Sequence, residues 1–101
     1  MSLVYKILPR ADWDAAVARG VYEGSELDRK DGFIHFSTAE QWPETLRLHF
    51  AGQTGLVLVA VEAGTLGAAL KWEASRGGAL FPHLYATLDP AVAVSVEPAR
   101  R

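Results

Sequence analysis

Leu56-Val-Leu-Val-Ala-Val61 is an unbroken aliphatic run, bounded by Gly55 on one side and Ala63-Gly64 on the other. A run this short, β-branched at alternate positions and without polar alternation, predicts a central strand buried on both faces. Working outward, Leu3-Val-Tyr-Lys-Ile-Leu8 has the aliphatic and aromatic content of a first strand, closed by Pro9. Leu70-Lys-Trp-Glu73, Leu84-Tyr-Ala-Thr-Leu88 and Ala91-Val-Ala-Val-Ser-Val96 predict three further strands, with a turn at Asp89-Pro90. Ala63 to Gly67 is a turn or a single helical turn.

Two helices precede the central strand. Asp12 stands before Trp13, Ala16 and Val17, whose spacing gives one apolar helical face, and Gly20 is the stop. Thr38 with Gln41 three residues on has capping-box spacing, and Trp42, Leu46, His49 and Phe50 recur at helical intervals up to Gly52. Pro43 cannot donate to the first turn, so a short irregular turn is expected to bend into the main helix. Between the helices, Val21 to Asp31 is rich in charge and broken by Gly24, which predicts an exposed loop long enough to act as a lid. Gly32-Phe-Ile-His-Phe-Ser37 follows as a second strand, entered by a turn at Asp31-Gly32. The order predicts a mixed α+β domain spanning residues 1–101, with its two helices in the N-terminal half.

Composition narrows the function. The chain has 101 residues, a formal net charge of −2 and no cysteine, with a pI near 5.9. No basic patch draws it to nucleic acid, and disulfides, thiolate metal sites and cysteine nucleophiles are excluded. No signal-peptide pattern opens the chain, and no apolar run approaches the ~20 residues of a membrane span. A cytoplasmic protein acting on a small molecule, without nucleic acid or membrane partners, is the expectation. His35, His49 and His83 lie far apart without ligand spacing, so no metal site is expected. Ser37 and Ser75 lack the flanks of a nucleophile elbow.

The polar residues gather in two stretches. Glu73-Ala-Ser-Arg-Gly-Gly-Ala-Leu-Phe-Pro-His-Leu-Tyr85 reads as a loop between strands, and Asp31-Gly-Phe-Ile-His-Phe-Ser-Thr38 reads as its partner. Alternation puts His35 and Ser37 on one face of their strand, and His83 and Tyr85 on one face of theirs. Each group has two readings. His35 is either a hydrogen-bonded structural residue or a contact for a ligand hydroxyl. Arg76 either braces the loop against Glu73 or Asp31, or holds a phosphate or carboxylate with Gly77 and Gly78 beside it. His83 next to Tyr85 suits acid–base work near neutral pH, whereas the structural alternative has the Tyr85 hydroxyl capping the loop.

These two stretches resemble a bacterial family known as domain of unknown function 952. The likeness extends to Val4-Tyr-Lys-Ile7, Trp13, Tyr22, Gly24-Ser25, Asp28, Phe50-Ala-Gly-Gln53 and Trp72-Glu73. It implies a compact α+β fold akin to the ADP-ribosyltransferases, with mixed sheets around a cleft. His35-Phe-Ser37 is similar to the histidine and hydroxyl pair that holds a ribose of NAD in those enzymes, with Phe36 where a glycine is common. Tyr85 or Tyr22 would take the place of the tyrosine that stacks on nicotinamide, while Glu73 stands outside any recognisable transferase motif.

Residues and resemblance together lead to one expectation. A cleft binds an NAD-like or other phosphorylated ligand, with His35 and Ser37 on the sugar, Arg76 with the Gly77-Gly78 backbone on an anionic group, Tyr85 stacking, and Ser75 as a further ligand-binding residue. Tyr22 and Asp31 bound the lid. Catalysis would be transfer or hydrolysis at a glycosidic carbon, with Glu73 or His83 as the polar catalyst. The alternative is a non-catalytic interaction module whose polar loop is an internally satisfied network.

Overall fold

The computed structural model describes residues 2–100, with Arg76 described through its backbone alone. In chain order it runs β1 (Leu3–Pro9), α1 (Arg10–Arg19), α2 (Glu26–Asp31), β2 (Ile34–His35), α3 (Trp42–His49), β3 (Leu56–Glu62), α4 (Ala63–Leu66), β4 (Leu70–Ser75), β5 (Ala79–Leu84) and β6 (Ala93–Pro98). Among the described residues these strands make two three-stranded antiparallel sheets, ordered β1-β3-β6 and β2-β5-β4. The fold is mixed α+β.

The aliphatic run is the central strand of the first sheet, paired with β1 from Leu3↔Glu62 to Pro9↔Leu56 and with β6 on its other edge. Val57, Val59 and Val61 are all but inaccessible, and so are Val4 and Leu8 of β1. They pack with Trp13 and Ala16 of α1, Ile34 and Phe36 around β2, and Leu84 of β5. The core therefore lies between the two sheets, and the chain crosses from one to the other at a bridge where Tyr5 and Ser37 exchange backbone hydrogen bonds of 2.7 and 2.8 Å.

Several local expectations are corrected. Helix α1 begins directly after Pro9, so Asp12 lies within the first turn, where a carboxylate favours the helix dipole, and is not the cap. Val17 is 54% exposed, because the short helix turns only Trp13 and Ala16 toward the core. Gly20 does end the helix in the left-handed conformation, at φ 81°. The charged stretch expected to be an exposed loop contains a third N-terminal helix, α2. Its Ser25 cap accepts from Asp28 N–H while the Asp28 carboxylate accepts from Ser25 N–H, a complete capping box.

The start of α3 follows the expectation set by Pro43. Residues 38–41 form a separate turn in which Gln41 Oε1 accepts from Thr38 N–H at 3.0 Å, and Pro43 falls at the second helical position, where a missing donor costs nothing. The supposed loop from Glu73 to Tyr85 is mostly a β-hairpin: β4 and β5 pair in register from Leu70↔Leu84 to Ser75↔Ala79. Gly77 and Gly78 make its tip at φ 72° and 86°. The strand expected at Leu84–Leu88 thus lies earlier, at Ala79–Leu84, and the last strand begins at Ala93 after a 3-10 turn over Pro90–Val92.

Candidate functional site

The hairpin register brings the polar groups together. Alternation puts Phe81 and His83 of β5 on the same face as Lys71, Glu73 and Ser75 of β4. The antiparallel pairing of β2 with β5 then sets His35 directly opposite His83. Their ring centroids are 5.5 Å apart, and Phe33 lies against both, stacked on His83 at 4.0 Å and tilted against His35 at 4.5 Å. The two polar stretches are therefore neighbours in space, joined strand to strand.

Each histidine is held by a carboxylate. His83 is buried and its Nδ1 lies 2.7 Å from Glu73 Oε1, which also accepts from Tyr85 O–H at 2.8 Å. The His83 bond, followed by the Tyr85 bond, holds the Glu73 carboxyl below its ordinary value, against a small opposing effect of desolvation. The same contact with Glu73 pushes the Tyr85 phenol up. A carboxylate on Nδ1 fixes the tautomer with the proton on that nitrogen and leaves Nε2 as an acceptor.

His35 belongs to a deeper network. Asp28 is 2% exposed, and its oxygens accept four hydrogen bonds. Oδ2 accepts from Lys6 Nζ at 2.8 Å and from Ser25 N–H at 2.9 Å. Oδ1 accepts from His35 N–H at 3.2 Å and meets His35 Nδ1 at 2.6 Å. A carboxylate offers about four acceptor positions, so Asp28 is saturated by the protein itself. Burial, which raises a carboxyl, is the largest single influence on Asp28. The His35 bond, the charge and bond of Lys6 and the Ser25 amide together outweigh it and hold the group well below the usual carboxylate range. On its far side, His35 Nε2 lies 3.0 Å from Asp31 Oδ2.

A cavity of about 610 Å³ opens beside this assembly. His35, Ser37, Ser75 and His83 line it, together with Lys6 and Asp28. Helix α3 supplies the opposite wall with Thr45, Leu48 and His49, spaced i, i+3 and i+4. Ser37 Oγ and Thr45 Oγ1 are hydrogen-bonded to each other at 3.1 Å at its edge, and Thr45 Oγ1 also donates to the Gln41 carbonyl at 3.2 Å. Phe36, Phe50 and Phe81 add aromatic surface.

Other residues expected in the site lie elsewhere. Tyr22 is not a lid residue: it is 4% exposed, bridges Leu88 through two backbone hydrogen bonds and packs against Trp13 in the core. Gly77 and Gly78 form the hairpin tip outside the cavity wall, with nothing within 4 Å of the position a side chain would take. Glu73 and Tyr85 stand behind His83 and do not line the cavity. Asp31 caps the far side of His35 at the end of α2 and does not line the cavity either. The Arg76 side chain lies outside the described residues. Lys6, Asp28 and Thr45 were not singled out by the residue-level reading of the site. The spacing Ser25-x-x-Asp28 was the available signal for α2, and nothing local marks Lys6. Among the described residues no group of three His, Asp or Glu side chains has metal-holding geometry. No helix among them is long and apolar enough to cross a membrane.

The family described as Protein of unknown function (DUF952) matches residues 7–96. The chain belongs to that family. Among solved structures, this DUF952 chain is similar to protein CC0527 from Caulobacter crescentus. The X-ray structure of CC0527 is 57% identical with a TM-score of 0.94, over 96% of this chain and 85% of that one. The solution NMR structure of CC0527 gives a TM-score of 0.86 at 57% identity, over 97% of this chain and 84% of that one. The two-sheet arrangement thus recurs in an experimentally determined DUF952-like structure. No curated protein matches.

Proposed function

We propose that the cavity binds a small ligand carrying a hydroxylated sugar, of the nucleotide or NAD-like kind, and that His83 is its acid–base group. The observation that carries this reading is the position of His83. It is buried, its Nδ1 is held by Glu73 at 2.7 Å, and it lines the cavity while Glu73 does not. Among the described residues Nε2 has no hydrogen-bond partner, so it is free to accept a proton from a ligand hydroxyl or from a water attacking a glycosidic carbon. The hydroxyls of Ser37, Thr45 and Ser75 supply partners for a sugar, and the phenylalanines supply a surface for a flat ring. Ser75 lines the wall as well and offers its hydroxyl to an anionic group of such a ligand. The likeness of His35-Phe-Ser37 to the ribose-binding pair of ADP-ribosyltransferases points to the same chemistry.

A thermal-shift series with NAD, ADP-ribose, AMP and ribose 5-phosphate tests the proposal. A ligand at one hundred times its dissociation constant adds about 2.7 kcal/mol to stability. The absence of a shift with every member of the series sinks the nucleotide reading.

The second reading, a non-catalytic module, is favoured by one observation. The Lys6–Asp28–His35 network is saturated at its carboxylate by protein groups, as a structural brace is. On that reading His35 serves the fold and only His83 remains open to a partner.

A further inference from the structure

The Lys6–Asp28 pair has one feature that bracing α2 against β1 does not require. Lys6 is 7% exposed and lines the cavity, yet among the described residues Asp28 is its only hydrogen-bond partner. An ammonium has three donors, so two are left without a protein acceptor in a buried position.

We propose that Lys6 is a reactive amine that condenses with the carbonyl group of a small hydroxylated ketone or aldehyde in the cavity. The ammonium first gives one of the two protons that face no protein acceptor to water in the cavity. The nitrogen lone pair then attacks the carbonyl carbon, the C=O π pair moves to oxygen, and that oxygen is protonated to give a carbinolamine. Loss of water leaves the imine. One amine and one carbonyl give one imine and one water, with no oxidant or reductant consumed. Burial lowers the Lys6 ammonium below its ordinary value, although the charge and hydrogen bond of Asp28 work against this. A hydroxylated compound is specified because Ser37 and Thr45 present hydroxyls in the same cavity. The inference uses the cavity but does not depend on nucleotide binding.

The test uses the wild-type protein, dihydroxyacetone and sodium cyanoborohydride, whose hydride reduces an imine to a stable secondary amine. Peptide mapping then reads each lysine. The chain has three, Lys6, Lys30 and Lys71, and the last two are exposed. The expected result is an adduct on Lys6 in clear excess over Lys30 and Lys71. Adducts on the exposed lysines with Lys6 unmodified overturn the proposal. Because nucleotide binding is read by thermal shift without carbonyl reagent, failure of one proposal is visible separately from failure of the other.

Discussion

Two histidine–carboxylate pairs face each other across β2 and β5, with Phe33 against both rings, yet they are built for different loads. In the first, Asp28 is sealed at 2% exposure and gives every acceptor position to Lys6, Ser25 and His35. In the second, the Glu73 side chain is 39% exposed, and one of its oxygens holds both His83 and Tyr85. The same two functional groups thus make a saturated, sealed network in one place and a half-exposed pair in the other. What separates them is the number of protein partners on the carboxylate and the water around it, because a buried charge must be paired while a half-exposed one need not be.

The largest effect is expected from breaking the brace. Asp28→Ala leaves Lys6 buried without its counter-ion and removes the Asp28 half of the α2 capping box, and loss of one partner of a buried pair costs about 3–5 kcal/mol. Urea unfolding measures it, and a loss below about 1 kcal/mol would mean that the network is not structural. The pH dependence follows in sign. The native Asp28 carboxyl sits below its unfolded value of about 3.9, so the unfolded chain binds the proton more readily. Its stabilisation is therefore complete above that value and fades as pH falls toward the native one. Asp28→Asn should lack this acid-side fall in melting temperature, and an identical acid profile in the two proteins would contradict the assignment.

Next in size is Gly24. Its φ is 100°, and a Cβ there would stand 2.8 Å from Asp28 Cβ, so both conformation and contact call for glycine. Gly24→Ala should cost about 1–3 kcal/mol in denaturant unfolding, less than Asp28→Ala because it leaves no buried charge without its partner. In contrast, substitution of Gly77 meets no neighbour and is strained by φ alone.

How legible each pair was in the sequence follows the same division. The aliphatic run of β3, the bent entry to α3 and the shared faces of His35 with Ser37 and His83 with Tyr85 were all readable, because periodicity and proline chemistry act over a few residues. The brace was not readable. Helix α2 is six residues long with no apolar stripe, and its buried Asp28 is explained by Lys6, 22 positions upstream. Tyr22 looked like a lid residue among charged neighbours, yet its place in the core comes from a bridge to the distant Leu88. The Glu73–Tyr85 stretch has the look of a loop because it is rich in polar groups and broken in the middle by Gly77-Gly78. Those glycines make the tip of a hairpin whose strands carry the site.

Smaller effects on stability, with larger ones on ligand response, are expected from the open pair. His83→Ala loses the stack on Phe33, an aromatic contact of the kind that contributes about 0.5–1.5 kcal/mol. It should abolish any nucleotide-induced thermal shift, and a shift that survives in His83→Ala removes His83 from the site.

The smallest change is Tyr85→Phe, which takes one hydroxyl from Glu73 and leaves His83 in place. The Glu73 carboxyl is held low first by His83 and then by Tyr85, so it should rise toward its ordinary value in Tyr85→Phe, and rise further in His83→Ala. A carboxyl with a depressed native value stabilises the fold above its unfolded value and loses that contribution as pH falls. Tyr85→Phe should therefore soften the acid-side slope slightly without moving the neutral-pH melting temperature. Carbon-detected NMR titration of Glu73 gives the order directly. If Tyr85→Phe moves the carboxyl more than His83→Ala does, the phenol is its main partner, and the difference between the two pairs lies in Tyr85.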